Sequence, residues 1–352
     1  MKKIGIVGIS GVTSVELIKI LSFHSKVEVE YLLSSSASFQ EFEHFKNAYG
    51  LKKAKFLSTS DNNFYKEITN NDVDLLFLCL PHKISMEFLK VFLDLYGEEK
   101  LPGIIDLSAD FRIKNIKLYE EFYGCKHILS ELLEKFVYGL PEAEPARKQK
   151  IISSKFIANP GCYPTTAILG LSPIVSNYDI KEIIIDAKSG YSGGGKKLVE
   201  EYEGYGGNNT YPYNVYGKHR HIPEIKEQLL EISKKEINFL FTPYVVPQYQ
   251  GMLTTIYIKA AESLDLETLE EMYRSYYNSS PFIKILPLGK LPQTKNVIKT
   301  NFCEISFAKE DNSDWIKIFV AIDNLIKGAV GQAVQNMNLM FGFDETEGLI
   351  NI

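Results

Sequence analysis

Apolar and polar positions along the chain change their spacing near residue 150. Residues 3–8 (KIGIVG) form a short continuous apolar run, and the stretch Ser14–Phe23 sets Val15, Leu17, Ile18 and Leu21 on one side of a helix. Val27–Leu33, Asp74–Leu80 and Gly103–Leu107 are further apolar runs with the length of strands, and Ser85–Leu95 between the last two has helical spacing. Strands alternating with helices predict βαβ units and a parallel sheet. Beyond residue 150 the order is different. Residues 186–217 are rich in Gly, Tyr and Asn, and the tyrosine-rich part Tyr202–Tyr216 predicts an ordered loop. The runs 236–246, 252–260, 302–308 and 315–322 predict strands joined by turns or by one helix, Leu264–Tyr277, hence a more antiparallel sheet. A last strong helix spans about 328–341.

The chain has 352 residues, which suggests two domains. Its 39 Lys and Arg against 44 Asp and Glu leave a formal charge of −5, so the basic footprint of a nucleic-acid binder is missing. Hydrophobic residues at 45% and charged residues at 24% describe an ordinary globular protein. The four cysteines are widely and irregularly spaced, giving neither a disulfide framework nor a zinc pattern, and this fits a reducing compartment. The opening MKKIGIVGIS is interrupted by Gly8, Ser10 and Gly11 and lacks a small-residue cleavage site. The expectation is a cytoplasmic protein with no membrane segment.

Three stretches carry candidate chemistry. Gly8-Ile-Ser10-Gly11-Val12-Thr13-Ser14 joins the first strand to the first helix. Glycines there let the backbone approach a pyrophosphate at a helix N-terminus. The spacing differs from the usual dinucleotide fingerprint, and a plain tight turn is the competing reading. At the end of the second strand stand Ser34, Ser35 and Ser36, where NAD sites usually carry an acid. Hydroxyls without a carboxylate favour NADP; a solvated serine loop is the alternative.

The second stretch is Asn159-Pro-Gly-Cys162-Tyr-Pro164. Pro160-Gly161 makes a turn and Pro164 suits a first helical turn, so Cys162 falls at a helix N-terminus, where the dipole stabilises a thiolate. That makes Cys162 a candidate acyl nucleophile. Cys79, Cys125 and Cys303 read as buried structural residues.

The third is Lys218-His219-Arg220-His221. A general acid/base fits a histidine that titrates near neutrality, a metal would need ligands not evident nearby, and a polar turn before a helix near Pro223 is the bland reading. Arg occurs only four times in the chain, and Arg220 between two histidines suggests a carboxylate or phosphate for its planar fork. Lys188–Lys197 nearly matches a P-loop, but Lys197 occupies the hydroxyl position, so an NTPase is rejected. A glycine loop with lysines that covers an anion is the expectation that remains.

Taken together these motifs resemble the N-acetyl-γ-glutamyl-phosphate reductase family, relatives of aspartate-semialdehyde dehydrogenase. The resemblance includes L78-C-L-P81-H, I105-D-L-S-A-D-F-R112, A158-N-P-G-C-Y-P-T165, S189-G-Y-S-G-G-G, H219-R-H-I-P-E-I225 and K327-G-A-V-G-Q-A-V-Q-N336. It implies an α/β fold: an N-terminal Rossmann-like dinucleotide-binding domain (1–155), an α+β substrate and oligomerisation domain with a largely antiparallel sheet (156–327), and a C-terminal helix (328–352) returning to the first domain. It implies NADPH, no metal, a small-molecule substrate and a homo-oligomer, dimer or tetramer.

The implied reaction is reductive dephosphorylation of an acyl phosphate through a Cys162 thioester, with His219 as acid/base. Arg112, Ser189, Arg220 and His221 are the implied substrate contacts. Gly8, Ser10, Gly11, Val12, Thr13, Ser34, Ser36, Pro81 and Asn336 are the implied cofactor contacts. The family usually has Gly at Ser14, Arg near Ser35 and Arg at Gln250. The first departure implies a slightly looser phosphate turn, the second an uncertain hold on the 2′-phosphate, and the third a lost contact to substrate anions. Two neighbouring readings are the acyl-phosphate reductase of lysine biosynthesis through α-aminoadipate and a Cys/His acyl-transfer enzyme without nicotinamide.

Overall fold

The computed structural model describes residues 1–34, 39–51, 53–58, 63–70, 73–262 and 264–350. The chain forms two compact units: Met1–Gly139 with Gln149–Pro160 and Val330–Ile352, and Leu140–Lys148 with Gly161–Ala329.

The first unit is built on strands β1 (Lys2–Val7), β2 (Val27–Ser34), β3 (Lys55–Ser58), β4 (Leu75–Leu78), β5 (Gly103–Asp106), β6 (Phe136–Tyr138) and β7 (Phe156–Ala158). They pair in the order β3-β2-β1-β4-β5-β7-β6, and every join is parallel. A parallel sheet is covered on both faces, which is why Ile4–Val7 and all of β4 are buried runs rather than alternating ones. Strand order reverses between β1 and β4, the place where open α/β sheets bind ligands beyond their strand ends. The helix Gly331–Phe341 belongs to this unit and packs against the helix Val12–Ser22 and β5. It stops at Gly342, whose left-handed φ of 67° suits a residue without a Cβ.

The second unit contains β8 (Ile180–Gly190), β9 (Tyr211–Pro212), β10 (Leu240–Val246), β11 (Met252–Ala260), β12 (Ile283–Ile285), β13 (Cys303–Lys309) and β14 (Trp315–Ile322). Their order is β12-β13-β14-β11-β8-β10-β9; the joins β8–β10 and β12–β13 are parallel and the others antiparallel. Burial alternates along β10 and most of β14, so one face of the sheet is packed and the other is not.

Against β11 and β14 lies the helix Cys162–Asn177, buried from Tyr163 through Val175. Gly170 lets it approach: a Cβ there would sit 2.5 Å from Ile256 Cδ1 and 2.9 Å from Val320 Cγ2. Pro173 lies inside this helix and has no N–H for the Leu169 carbonyl one turn back. Tyr277 supplies the missing donor, its hydroxyl donating to Leu169 O at 2.6 Å.

One expectation is corrected in this unit. Tyr202–Tyr216 is not a loop throughout: Tyr202 ends up fully buried in the helix Gly195–Gly204, stacked on Tyr191 at 4.7 Å, and Tyr211 begins β9. Aromatic stacking offsets the polar composition. The strands β3, β6, β7, β9 and β12 have no more than four residues, too few for a period to show.

Candidate active site

Cys162 is the first residue of its helix, and Gly161 is the N-cap with φ −77° and ψ 157°. A glycine has no side chain to satisfy the first-turn N–H groups. Its own N–H donates to Glu224 Oε1 at 2.9 Å, and its carbonyl accepts from the Thr165 N–H and hydroxyl, each at 2.9 Å. Glu224 is fully buried in the first turn of the helix His221–Ser233. Cys162 is half-buried and lines a cavity of about 270 Å³ together with Ser189, Gly190, Tyr213 and His221.

His219 is buried between rings, with centroids at 4.9 Å (His221), 5.2 Å (Tyr213), 5.2 Å (Phe241) and 5.5 Å (Tyr163). That burial first, and then the positive charges of His221 and Arg220, push its pKa down to about 2. In the free site His219 thus does not titrate near neutrality, contrary to what its residue type alone predicts. The His221 N–H donates to His219 Nδ1 at 3.1 Å. The ring proton of the neutral imidazole therefore sits on Nε2, which donates to the Tyr213 hydroxyl at 3.2 Å. Arg220, by contrast, is exposed.

Ser189 is buried near the end of β8, and its hydroxyl donates to the Gly190 carbonyl at 3.0 Å. The glycine segment that follows is tied from behind: Asn324 Nδ2 donates to Ser192 Oγ at 3.0 Å, and the Gly251 N–H donates to Asn324 Oδ1 at 2.7 Å. Lys196 and Lys197 are exposed in the first turn of the helix Gly195–Gly204, so the expected lysine-bearing loop is a short 3-10 turn, Tyr191–Gly194, running into a helix. Gln250 contacts a protein carboxylate, its Nε2 donating to Asp323 Oδ2 at 2.6 Å.

In the first unit the strand–helix turn needs its first glycine. Gly8 has φ +91°, and a Cβ there would lie 2.6 Å from the Cys79 carbonyl oxygen at the end of β4. Gly11 caps the helix Val12–Ser22, and its Cβ direction is open, with Ser14 Oγ the nearest atom at 3.8 Å. Ser14 does not loosen this turn: its Oγ accepts the Gly11 N–H at 3.1 Å and donates to the Gly11 carbonyl at 2.8 Å. The first turn, with Val12 and Thr13, has no acid, and Ser10 is exposed beside it. A phosphate fits such a glycine-capped end. Ser34 is buried at the end of β2, and Ser35 and Ser36 lie outside the described residues.

Pro81 is exposed in the turn after β4, and that turn is held by Asp110, which accepts from the Lys83 and Met86 N–H groups at 2.9 and 3.2 Å. Burial and the neighbouring Asp110 raise the Asp106 carboxyl to about 7. Arg112 is buried, with Nη2 donating to the Leu107 carbonyl at 2.7 Å. Asn336 is fully buried, and its Nδ2 donates to Gly139 O at 2.8 Å and Asn159 Oδ1 at 3.0 Å.

Known proteins match this arrangement over nearly its full length. Residues 3–151 match a family model described as the semialdehyde dehydrogenase NAD binding domain, and residues 162–324 one described as the semialdehyde dehydrogenase dimerisation domain. A Desulforudis audaxviator protein named N-acetyl-gamma-glutamyl-phosphate reductase is 41% identical, covering 99% of this chain and 98% of its own. Proteins of that name from Campylobacter jejuni subsp. jejuni serotype O:2 and Dictyoglomus thermophilum are 43% and 42% identical, covering 99% of this chain and 97% and 98% of theirs. The chain belongs to the N-acetyl-gamma-glutamyl-phosphate reductase family.

The fold extends to more distant solved structures. Aspartate semialdehyde dehydrogenase II from Vibrio cholerae, complexed with ASA, superposes with a TM-score of 0.71 at 16% identity over 97% of this chain and 98% of that one. The Candida albicans aspartate semialdehyde dehydrogenase with NADP gives 0.69 at 17%, over 97% and 99%.

Within this family member, the structure gathers Cys162, Ser189 and His221 around one cavity and joins His219 to it through Tyr213. Spacing alone does not single out Tyr213 on this cavity, Glu224 on the Gly161 N–H or, in the first unit, Asp110 at the turn after β4; a carboxylate in a helix's first apolar turn is the one hint the sequence offers for Glu224. Among the described residues no group of three or more His, Cys, Asp or Glu is placed to hold a metal ion, and no helix is long and apolar enough to cross a membrane.

Proposed function

We propose that this chain reduces N-acetyl-γ-glutamyl phosphate to N-acetyl-L-glutamate 5-semialdehyde and phosphate with NADPH, in arginine biosynthesis. The observation that carries the mechanism is Cys162 at a glycine-capped helix start, opening into a cavity shared with Ser189, Tyr213 and His221. The partial positive charge of that helix end favours the thiolate. Cys162 Sγ attacks the acyl carbon, the C–O bond to phosphate breaks, and phosphate leaves with the bonding pair; the acyl group becomes a thioester. The first-turn N–H groups face the oxygen that gains charge. Bound NADPH supplies the hydride for the thioester carbon.

His219 faces the oxygen that gains charge. Its Nδ1 is occupied by the His221 N–H, which leaves Nε2–H to hydrogen-bond the oxyanion that hydride addition creates, the proton staying on the ring. A neutral imidazole suits this role as a directed donor, and burial keeps it neutral. Collapse of this thiohemiacetal oxyanion breaks the C–S bond, returns the Cys162 thiolate and releases the aldehyde. Arg112, Ser189, Arg220 and His221 hold the substrate's carboxylate and phosphate. Gly8, Ser10, Gly11, Val12 and Thr13 would hold the cofactor's phosphates and Ser34 its ribose, with Pro81 and Ser36, the latter outside the described residues, as the further cofactor contacts. Asn336 supports that surface by holding Gly139 and Asn159.

The same reading makes the protein a cytoplasmic homo-oligomer, dimer or tetramer. The cysteines are all free thiols, and the second unit matches a domain described by dimerisation. Light scattering on the eluting protein gives the copy number.

The deciding experiment runs the reaction backwards. Protein mixed with NADP⁺, phosphate and N-acetylglutamate semialdehyde shows phosphate-dependent growth of the reduced-nicotinamide absorbance. Turnover only with the aminoadipate-derived aldehyde moves the chain to lysine biosynthesis. No turnover with either aldehyde, despite a reactive Cys162, leaves acyl transfer without nicotinamide.

A further inference from the structure

Behind Cys162 the second unit buries an ion pair that the chemistry above does not use. Lys327 Nζ lies 2.7 Å from Glu142 Oε1, and the two side chains are 0% and 1% exposed. Desolvating two such charges costs several kcal/mol, and apolar residues of similar volume are often equally stable in their place. Stability alone is a weak reason for the pair. The nearby Cys303 thiol is pushed up by burial and stays neutral, so it adds no charge beside the pair.

The surroundings of Lys327 give a better reason. It stands in a π-helical turn, Ile326–Val330, in which the Gly328 N–H donates to the Asp323 carbonyl five residues back at 2.9 Å. Such turns are rare and concentrate at functional sites. The Asp323 carboxylate fixes the start of the turn, accepting from the Leu325 and Ile326 N–H groups at 2.8 and 3.2 Å and from Lys299 N–H and Gln250 Nε2 at 2.6 Å each. The residue after Lys327 is pressed onto the cysteine: a Cβ on Gly328 would lie 2.7 Å from Cys162 Cβ and 3.2 Å from its Cα.

We infer that Glu142 and Lys327 are positioning residues for Cys162: the buried pair anchors the π-turn, and the turn sets Gly328 as a stop against the Cα–Cβ bond of the cysteine, fixing where Sγ points. Neither side chain touches the substrate. The inference rests on Cys162 being the nucleophile, so its test reads the thiol itself as well as turnover.

Single charge removal leaves a lone buried ion and destabilises the fold. The test is therefore the double variant Glu142→Met with Lys327→Met, which removes both charges at similar volume. Expected is a folded protein with a Tm close to the parent, a kcat lowered about 10- to 100-fold with KM little changed, and alkylation of Cys162 by iodoacetamide slowed at least several-fold, since small misplacements of a reacting atom cost rates of this order. Parent-like kcat and alkylation rate in a folded double variant overturn the inference. Should the double variant not fold, Glu142→Asp decides, since it keeps both charges and shortens the anchor by one methylene: slowed alkylation supports the anchor and a parent-like rate overturns it. Full turnover by Cys162→Ser would instead defeat the proposed reaction, a result that the alkylation measurement cannot mimic.

Discussion

Two helix starts in this molecule have nearly the same backbone and are held in opposite ways. Gly11 caps Val12–Ser22 with φ −92° and ψ 159°; Gly161 caps Cys162–Asn177 with φ −77° and ψ 157°. Neither has a capping side chain of its own, and what ties each start is an acceptor for the cap glycine's own N–H. The first is tied locally, by the hydroxyl of Ser14 three residues on. The second is tied by Glu224, sixty-three residues away and fully buried. The local tie suits a turn that only has to receive phosphates. The distant tie makes the position of Cys162 depend on a second helix, the one that begins with His221, and so links the nucleophile to the histidine segment through covalent chain.

The largest effect should come from the group that distinguishes the second start. Cys162→Ser should lower turnover at least ~10³-fold and leave NADPH binding, followed by fluorescence titration, unchanged. Loss of both would mean that the two starts are not independent.

Removing the distant tie comes next. Glu224→Ala should leave the Gly161 N–H without its acceptor, costing about 1–3 kcal/mol in urea unfolding and lowering kcat by about 10- to 100-fold. A change in stability with an unaltered kcat would reduce Glu224 to a structural cap.

The pH profile probes the histidine that this helix start places. The folded pKa of His219 is depressed toward about 2 from an ordinary 6.5. The unfolded chain therefore binds the proton first, and this contribution to stability, fully present above pH 6.5, is lost as pH falls toward the folded value. The slope approaches about 1.4 kcal/mol per pH unit below 6.5. Thermal unfolding of His219→Asn should show a shallower decline from pH 6.5 to 4.5 than the parent. Identical declines would show that the imidazole is not buried in the neutral form.

The smallest effect belongs to the local tie. Ser14→Ala should cost about 1 kcal/mol and raise KM for NADPH a few-fold at unchanged kcat. A change in kcat of the size seen for Glu224→Ala would erase the contrast between the two starts.

What was legible in the chain follows the same division. The helix start at Cys162 could be read because Pro160, Gly161 and Pro164 are neighbours and restrict one another's backbone. β1 and β4 could be read as continuous apolar runs, and β2, β10, β11, β13 and β14 because seven to nine residues are long enough to stand out as strands. β6, β7 and β9 could not, because two or three residues are too few to stand out. Tyr202 looked like loop because its partner Tyr191 lies eleven positions earlier, and stacking is not visible in local polarity.

By itself the sequence determined the class of the fold, the glycine turn after β1, the cysteine at a helix start and the unusual His-Arg-His segment, since each depends on residues within a few positions. Only the tertiary structure decided that His219 would be neutral with its proton on Nε2, that Glu224 would hold Gly161, and that a buried Lys327–Glu142 pair would stand behind the nucleophile. Desolvation and long-range contact set those properties, and both are created when distant segments pack together.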